Sequence, residues 1–154
     1  VASEDEKAMS HKRQLIRDRV AQILRGLDTT RVNVFTSRNY RLSDDELPAI
    51  KVYTGSEELV EDSFSKGFSA LIQVELSIEI TLKKNDFYDD WLDDSLSEIQ
   101  AAMTLERSSD LPDSLPSITN VFYYSGLDDV EYIDGETDIG LQKINYTVQY
   151  EQVI

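Results

Sequence analysis

Cysteine is absent from these 154 residues, which removes any disulfide framework and any thiolate ligand or nucleophile. That absence suits a reducing cytoplasm. Histidine is almost absent: His11 stands alone, at the edge of an expected helix, and reads as incidental rather than catalytic. Without a Cys/His set, zinc sites and Cys–His nucleophilic pairs have no side chains to use. Serines are numerous, yet none sits in a glycine-flanked elbow, and Gly126, Gly135 and Gly140 are too scattered to cradle a phosphate. No apolar run approaches the roughly 18 residues that span a bilayer. The first residues, Val1 to Ser10, have no apolar signal-peptide region; with Glu4, Asp5 and Glu6 they read as a frayed polar arm.

Positive charge is scarce too. Lys and Arg number 15 against 30 Asp and Glu, a net charge of −15. Affinity for DNA or anionic lipid rests on cations that neutralise phosphates, so neither is an expected binding target. The same acidity keeps a protein soluble, and it could form a wall past which DNA slides without sticking.

What is present is ordinary globular material: 40% apolar and 9% aromatic residues, enough for one domain with a real core. Ile16, Val20, Ile23 and Leu27, widened by Leu15 and Leu24, predict a helix over Ser10–Leu27, with Gly26 offering a left-handed end. Val32 and Val34 suggest a short strand, and Asp44, Asp45 and Glu46 a charged loop. Pro48 then opens a strand over Pro48–Tyr53. Thr54–Gly67 has turn residues at both ends and poor periodicity, and is long for a loop in a compact domain. It mixes apolar Leu59, Val60 and Phe64 with Glu57, Glu58, Glu61 and Asp62, a combination expected of an assembly loop that a neighbour covers.

The clearest strand follows. Ala70, Ile72, Val74, Leu76, Ile78, Ile80 and Leu82 occupy every second position, and polar residues fill the gaps except at Leu71. Period two over this length means one buried face in an antiparallel sheet. A second helix fits Asp86–Glu106, with an apolar stripe of Phe87, Trp91, Leu92, Leu96, Ile99, Ala102 and Met103. Asp86 suits its N-cap, and Asp89 and Asp90 its first turn. Ser108–Ser117, with Pro112 and Pro116, reads as a loop. Strands near Ile118–Ser125, Val130–Ile133 and Leu141–Val153 then make a hairpin or meander. The expected fold is α+β, an antiparallel or mixed sheet packed against two main helices in one domain, residues 10–154, behind a flexible acidic arm, residues 1–9. Its core is expected to include Ile16, Val20, Ile78, Trp91 and Leu96, with Trp91 substantially buried.

One cluster invites a metal: Asp128, Asp129, Glu131, Asp134, Glu136 and Asp138. Oxygen ligands suit magnesium or calcium. Placing Gly135 at the turn of a calcium loop, however, puts Val130 and Tyr132 where carboxylates are required. A diffuse acidic tip that attracts cations describes it better. No residue is singled out as catalytic.

Several strings in order carry a resemblance: the helix from Ser10; Leu47-Pro48-Ala49-Ile50-Lys51-Val52-Tyr53; Val74 to Leu82 as Val-Glu-Leu-Ser-Ile-Glu-Ile-Thr-Leu; Trp91-Leu92-Asp93-Asp94; and Ile144-Asn145-Tyr146-Thr147-Val148-Gln149-Tyr150-Glu151. Together they resemble the tail terminators of lambda-like, long-tailed phages, the minor tail protein U family, over nearly the whole chain after the first nine residues. The chain departs from that family in its acidic arm and in the proline-containing Ser108–Ser117 segment. The resemblance implies a non-enzymatic subunit of a hexameric ring in the virion, at the head-proximal end of the tail, assembled in the host cytoplasm. Such a ring stops tube polymerisation and offers a surface to head-completion or neck proteins. Its partners would be its own copies, the tail tube protein and the neck protein, with DNA only as passing cargo and no membrane. No cofactor is implied; a divalent cation such as magnesium would suit crowded acidic subunit contacts. Two alternatives fit the same composition: an acidic DNA-mimic inhibitor, and a metal-dependent hydrolase resting on Asp128, Asp129 and Asp134.

Overall fold

The computed structural model describes residues 11–28, 33–37, 39–60, 69–83, 88–133 and 139–153. Its elements are α1 (Lys12–Leu24), β1 (Val34–Phe35), β2 (Ala49–Leu59), β3 (Ser69–Lys83), α2 (Tyr88–Glu106), α3 (Leu115–Ile118), β4 (Val121–Leu127), β5 (Glu131–Ile133) and β6 (Ile139–Val153). The six strands form one mixed sheet in the order β1-β2-β3-β6-β4, with β5 also pairing β6. The fold is α+β, as the periodicities require.

The sheet is organised by β3 and β6, which pair antiparallel over their full lengths, from Ser69↔Val153 to Lys83↔Ile139. The alternating residues of β3 do what their period demands. Ala70, Val74, Leu76, Ile78 and Ile80 are at most 1% exposed, and Ile144, Tyr146, Val148 and Tyr150 of β6 join them on the same face. These side chains share one core cluster with Ile16, Val20 and Leu24 of α1 and with Leu92, Ile99 and Met103 of α2. The opposite face holds polar cross-strand pairs. Gln149 donates to Gln73, and Ser77 to Asn145 within 3.1 Å, so these polar groups leave few bonds unmade as they pack.

The helices differ from expectation at their ends. α1 is shorter than Ser10–Leu27, with His11 as its N-cap. Gly26 is not left-handed, because the chain leaves through tight turns, Gly26 N–H to Ile23 and Leu27 N–H to Leu24. The α2 stripe is rotated from the one expected. Leu92, Ser95, Ile99, Met103 and Glu106 are buried, while Trp91 and Leu96 flank them, only partly buried against the core. A buried serine inside the stripe hides this rotation from an apolar-only reading; its hydroxyl donates back to the Trp91 carbonyl, the usual refuge for a mid-helix hydroxyl. Asp86 and Phe87 lie outside the described residues.

Three loop and strand assignments are corrected. Thr54–Gly67 is not a loop at its start: β2 runs on to Leu59, pairing Glu57↔Val74, Glu58↔Gln73 and Leu59↔Ile72 beyond a register shift after Thr54. Ser108–Ser117 is not wholly loop, since α3 begins at Leu115 with Pro116 in its first turn, where a missing N–H costs nothing. Of the hairpin or meander expected for the last strands, β5 and β6 make the hairpin, but there is no full meander because β4 pairs β6 and not β5. β4 and β5 both lie along β6, as one arm interrupted at residues 128–130. Val32 falls outside the described residues, and β1 lies parallel to β2 through Val34↔Ile50.

Candidate assembly surfaces

The end of β2 meets the start of α1. Glu57 Oε1 accepts a hydrogen bond from the Tyr150 hydroxyl at 2.7 Å, and lies 3.0 Å from Arg13 Nε and 3.3 Å from His11 Nε2. His11 also caps its own helix, its Nδ1 accepting from the Arg13 N–H, and sets its ring edge-on to Tyr150. Arg17 reaches Thr54 beside them. Burial, then the hydrogen bond to Glu57, pushes the Tyr150 phenol well above its ordinary range. His11 is therefore structural, and Glu57, expected as an assembly-loop acid, holds helix to sheet. Its neighbours differ. Glu58 and Leu59 are exposed, Leu59 by 50%. Val60 is half-buried and still donates its N–H to the Leu71 carbonyl. Glu61, Asp62 and Phe64 lie outside the described residues.

The acidic tip is only partly on view. Asp128 Oδ1 accepts from Asn145 Nδ2 at 2.9 Å, extending the Ser77–Asn145 pair, and the Asp128 carbonyl accepts from Gln142. That carboxylate holds the link between β4 and β5 in place. Asp129 and Glu131 are exposed, and Asp134, Glu136 and Asp138 lie outside the described residues. Among the described residues no three metal-ligating side chains converge.

A third surface went unmarked in the sequence. β4 is the terminal strand of the sheet, and it carries large side chains in the open: Val121 45%, Tyr123 42%, Tyr124 40% and Leu127 42% exposed. Residues 114–127 contain no charged side chain, which is uncommon in a chain 29% charged. Arg107, at the end of α2, lies over the strand. Its guanidinium sits 5.5 Å from the Phe122 ring centroid and donates to the Phe122 carbonyl. A shallow groove runs beside it between Thr104, Tyr124 and Tyr146; burial raises the Tyr146 phenol to about 12. The strand closes with a bulge after Tyr124, at which Gly126 adopts φ 153°, a conformation L side chains rarely take. The signal that could have found this surface was a long uncharged stretch containing four large residues in a row, Val121-Phe122-Tyr123-Tyr124.

A buried ion pair positions the strand. Arg19 of α1 grips Glu106, the last residue of α2, and Glu106 Oε2 also accepts the Leu115 N–H at 3.0 Å. All three helices thus meet at one carboxylate, just ahead of β4.

No helix among the described residues is long and apolar enough to cross a membrane. No curated protein matches the chain. Among solved structures, a chain in the virion of a native gene transfer agent particle is similar at 14% identity, with a TM-score of 0.43, covering 89% of this chain and 95% of that one. The family of phage minor tail protein U matches residues 11–150. That match takes in every element from α1 to the core residues of β6, and the chain therefore belongs to the phage minor tail protein U family, structural components of phage tails.

Proposed function

We propose that this tail protein is a tail terminator: a non-catalytic subunit, six copies of which close into a ring on the finished end of the tail tube. The ring stops tube polymerisation and presents a surface to head-completion and neck proteins at the head-proximal end of the virion. The subunit is made and assembled in the host cytoplasm. DNA passes through its channel, where acidic walls repel phosphates and do not retain the genome.

The observation that carries this reading is the exposed, uncharged β4 edge on a chain of net charge −15. A bare edge strand with large apolar side chains invites pairing, and proteins that must stay monomeric blunt such edges with charge. Here β4 itself carries no charged side chain, and Arg107 beside it bonds the Phe122 carbonyl. Glu58, Leu59 and Val60, with Glu61, Asp62 and Phe64 after them, form a second contact toward a neighbouring subunit or the tube end, and magnesium would relieve acidic crowding there. The test combines native mass spectrometry of the purified chain with tube-length measurement in its presence and absence. A closed oligomer and tubes of fixed length are expected. A chain that stays monomeric at every concentration and leaves tube growth unchecked overturns the proposal.

A further inference from the structure

Resting on the ring reading, we propose that the subunit contact is heterologous and runs edge to edge: β4 of one copy lies against the outer side of the β2 end of the next. The sheet has two unlike borders. On one side β4 is terminal. On the other, β1 covers only Ile50 and Lys51 of β2, and among the described residues no strand lies outside Thr54–Leu59. A contact between two different patches repeats from copy to copy until it closes, whereas one patch meeting itself stops at a dimer. Main-chain pairing of an added strand gives such a contact affinity without requiring charge.

Charge selects which borders meet. Two copies of a −15 chain repel wherever acids face each other. β4 against β4 would bring Arg107 to Arg107 and leave the acids of β2 unmatched. β4 against β2, with the helices of both copies on one side, instead brings an acid-free border to an acidic one: Val121 and Tyr123 lie beside exposed Glu58 on the polar face, and Tyr124 and Arg107 share the core-side face with exposed Leu59. The Arg107 guanidinium, stacked on the Phe122 ring and bonded to the Phe122 carbonyl, gives the β4 border a positive charge and no acid.

The absence of native cysteine makes the test direct. The full chain carrying both Tyr123→Cys and Glu58→Cys is treated with a short bismaleimide, with the single variants as controls. Tyr124→Cys with Leu59→Cys is a second pair, on the other face of the sheet, and circular dichroism confirms folding of each. A covalent ladder in the double variants that ends at the size of the native closed oligomer, with little product from either single variant, is the expected result. Efficient dimers from Tyr123→Cys alone would establish a β4–β4 contact and overturn the inference. A wild-type chain that closes into rings while neither pair cross-links also overturns it, and leaves the ring reading standing. A ladder that grows without limit keeps the contact but overturns closure. Wild-type monomers with no cross-link at any concentration overturn both.

Discussion

Arg19 and Glu106 are joined by two parallel hydrogen bonds, Nε to Oε2 at 2.7 Å and Nη2 to Oε1 at 2.8 Å, although they lie 87 residues apart. Glu106 is 5% exposed, so the pair works in a low-dielectric setting where a lone charge is costly. Glu106→Ala is expected to destabilise the fold by about 3–5 kcal/mol, since it strands Arg19 and the Leu115 N–H together. Urea denaturation of the variant measures this, and a loss below about 1 kcal/mol would show the pair to be incidental.

The same carboxylate predicts the acid limb of stability. Burial pushes the Glu106 carboxyl up, but the bonds from Arg19 and the Leu115 N–H, with the Arg19 charge, bring it below its ordinary 4.5. A depressed acid stabilises the fold above its unfolded value, and that contribution drains away as pH falls through the folded value. Stability should therefore drop below about pH 4.5 in wild type and drop less steeply in Glu106→Gln. Identical acid limbs in the two proteins would contradict this.

At high pH the sign reverses. Tyr146 is held neutral to about 12 by burial, and Tyr150 is raised in the same direction by burial and by Glu57. An unfolded phenol releases its proton near 10, so stability declines as pH rises above that value while the folded phenols stay protonated. Tyr150→Phe should flatten this alkaline decline, and ultraviolet phenolate titration of the folded chain should show late-titrating tyrosines. Phenols that all titrate together near their ordinary value would defeat the prediction.

Trp91 tests where the core ends. It is only partly buried, at the mouth of a cleft lined by Leu47, Pro48, Leu82 and Lys83, whereas Ile99 on the same helix is 0% exposed. Ile99→Ala should cost about 2–5 kcal/mol, and Trp91→Ala less than the roughly 3–5 kcal/mol of a fully enclosed aromatic. Tryptophan fluorescence should report an environment between water and core. A fully blue-shifted emission would place the ring in the core after all.

Much of this fold could be read in the sequence because the signal was local. β3 declares itself, since each of its side chains reports its own face. The end of β2 does not: Thr54-Gly55-Ser56-Glu57-Glu58-Leu59 has no alternation, and its strand geometry is imposed by partners on β3. The role of Glu57 was hidden for a similar reason, because Tyr150 is 93 residues away. β4 was legible as a strand but not as a surface, since exposure there follows from being last in the sheet. Pro116 looked like a helix breaker, and only the position of Leu115 turns it into a helix starter.

Salt should separate assembly from folding. Copies of net charge −15 repel over distances that about 0.1 M salt shortens to roughly 10 Å. Ring formation should strengthen as salt or magnesium is raised, while the urea midpoint of the monomer changes little by comparison. Phe64→Ser should leave folding intact and weaken ring formation, whereas Glu61→Gln with Asp62→Asn should strengthen it at low salt. Native mass spectrometry across a salt series checks both, and assembly that weakens steadily with salt would rule against a contact limited by repulsion.

The position of β6 has a consequence for how the subunit comes into being. It follows every other strand in sequence, yet it lies inside the sheet, between β3 and the β4–β5 arm. During synthesis β3 must wait, with one border bare, until more than a third of the chain has been added after it. The β4 border cannot exist before β6 arrives, because β6 is its only strand neighbour among the described residues. A chain cut short of β6 therefore never acquires that border.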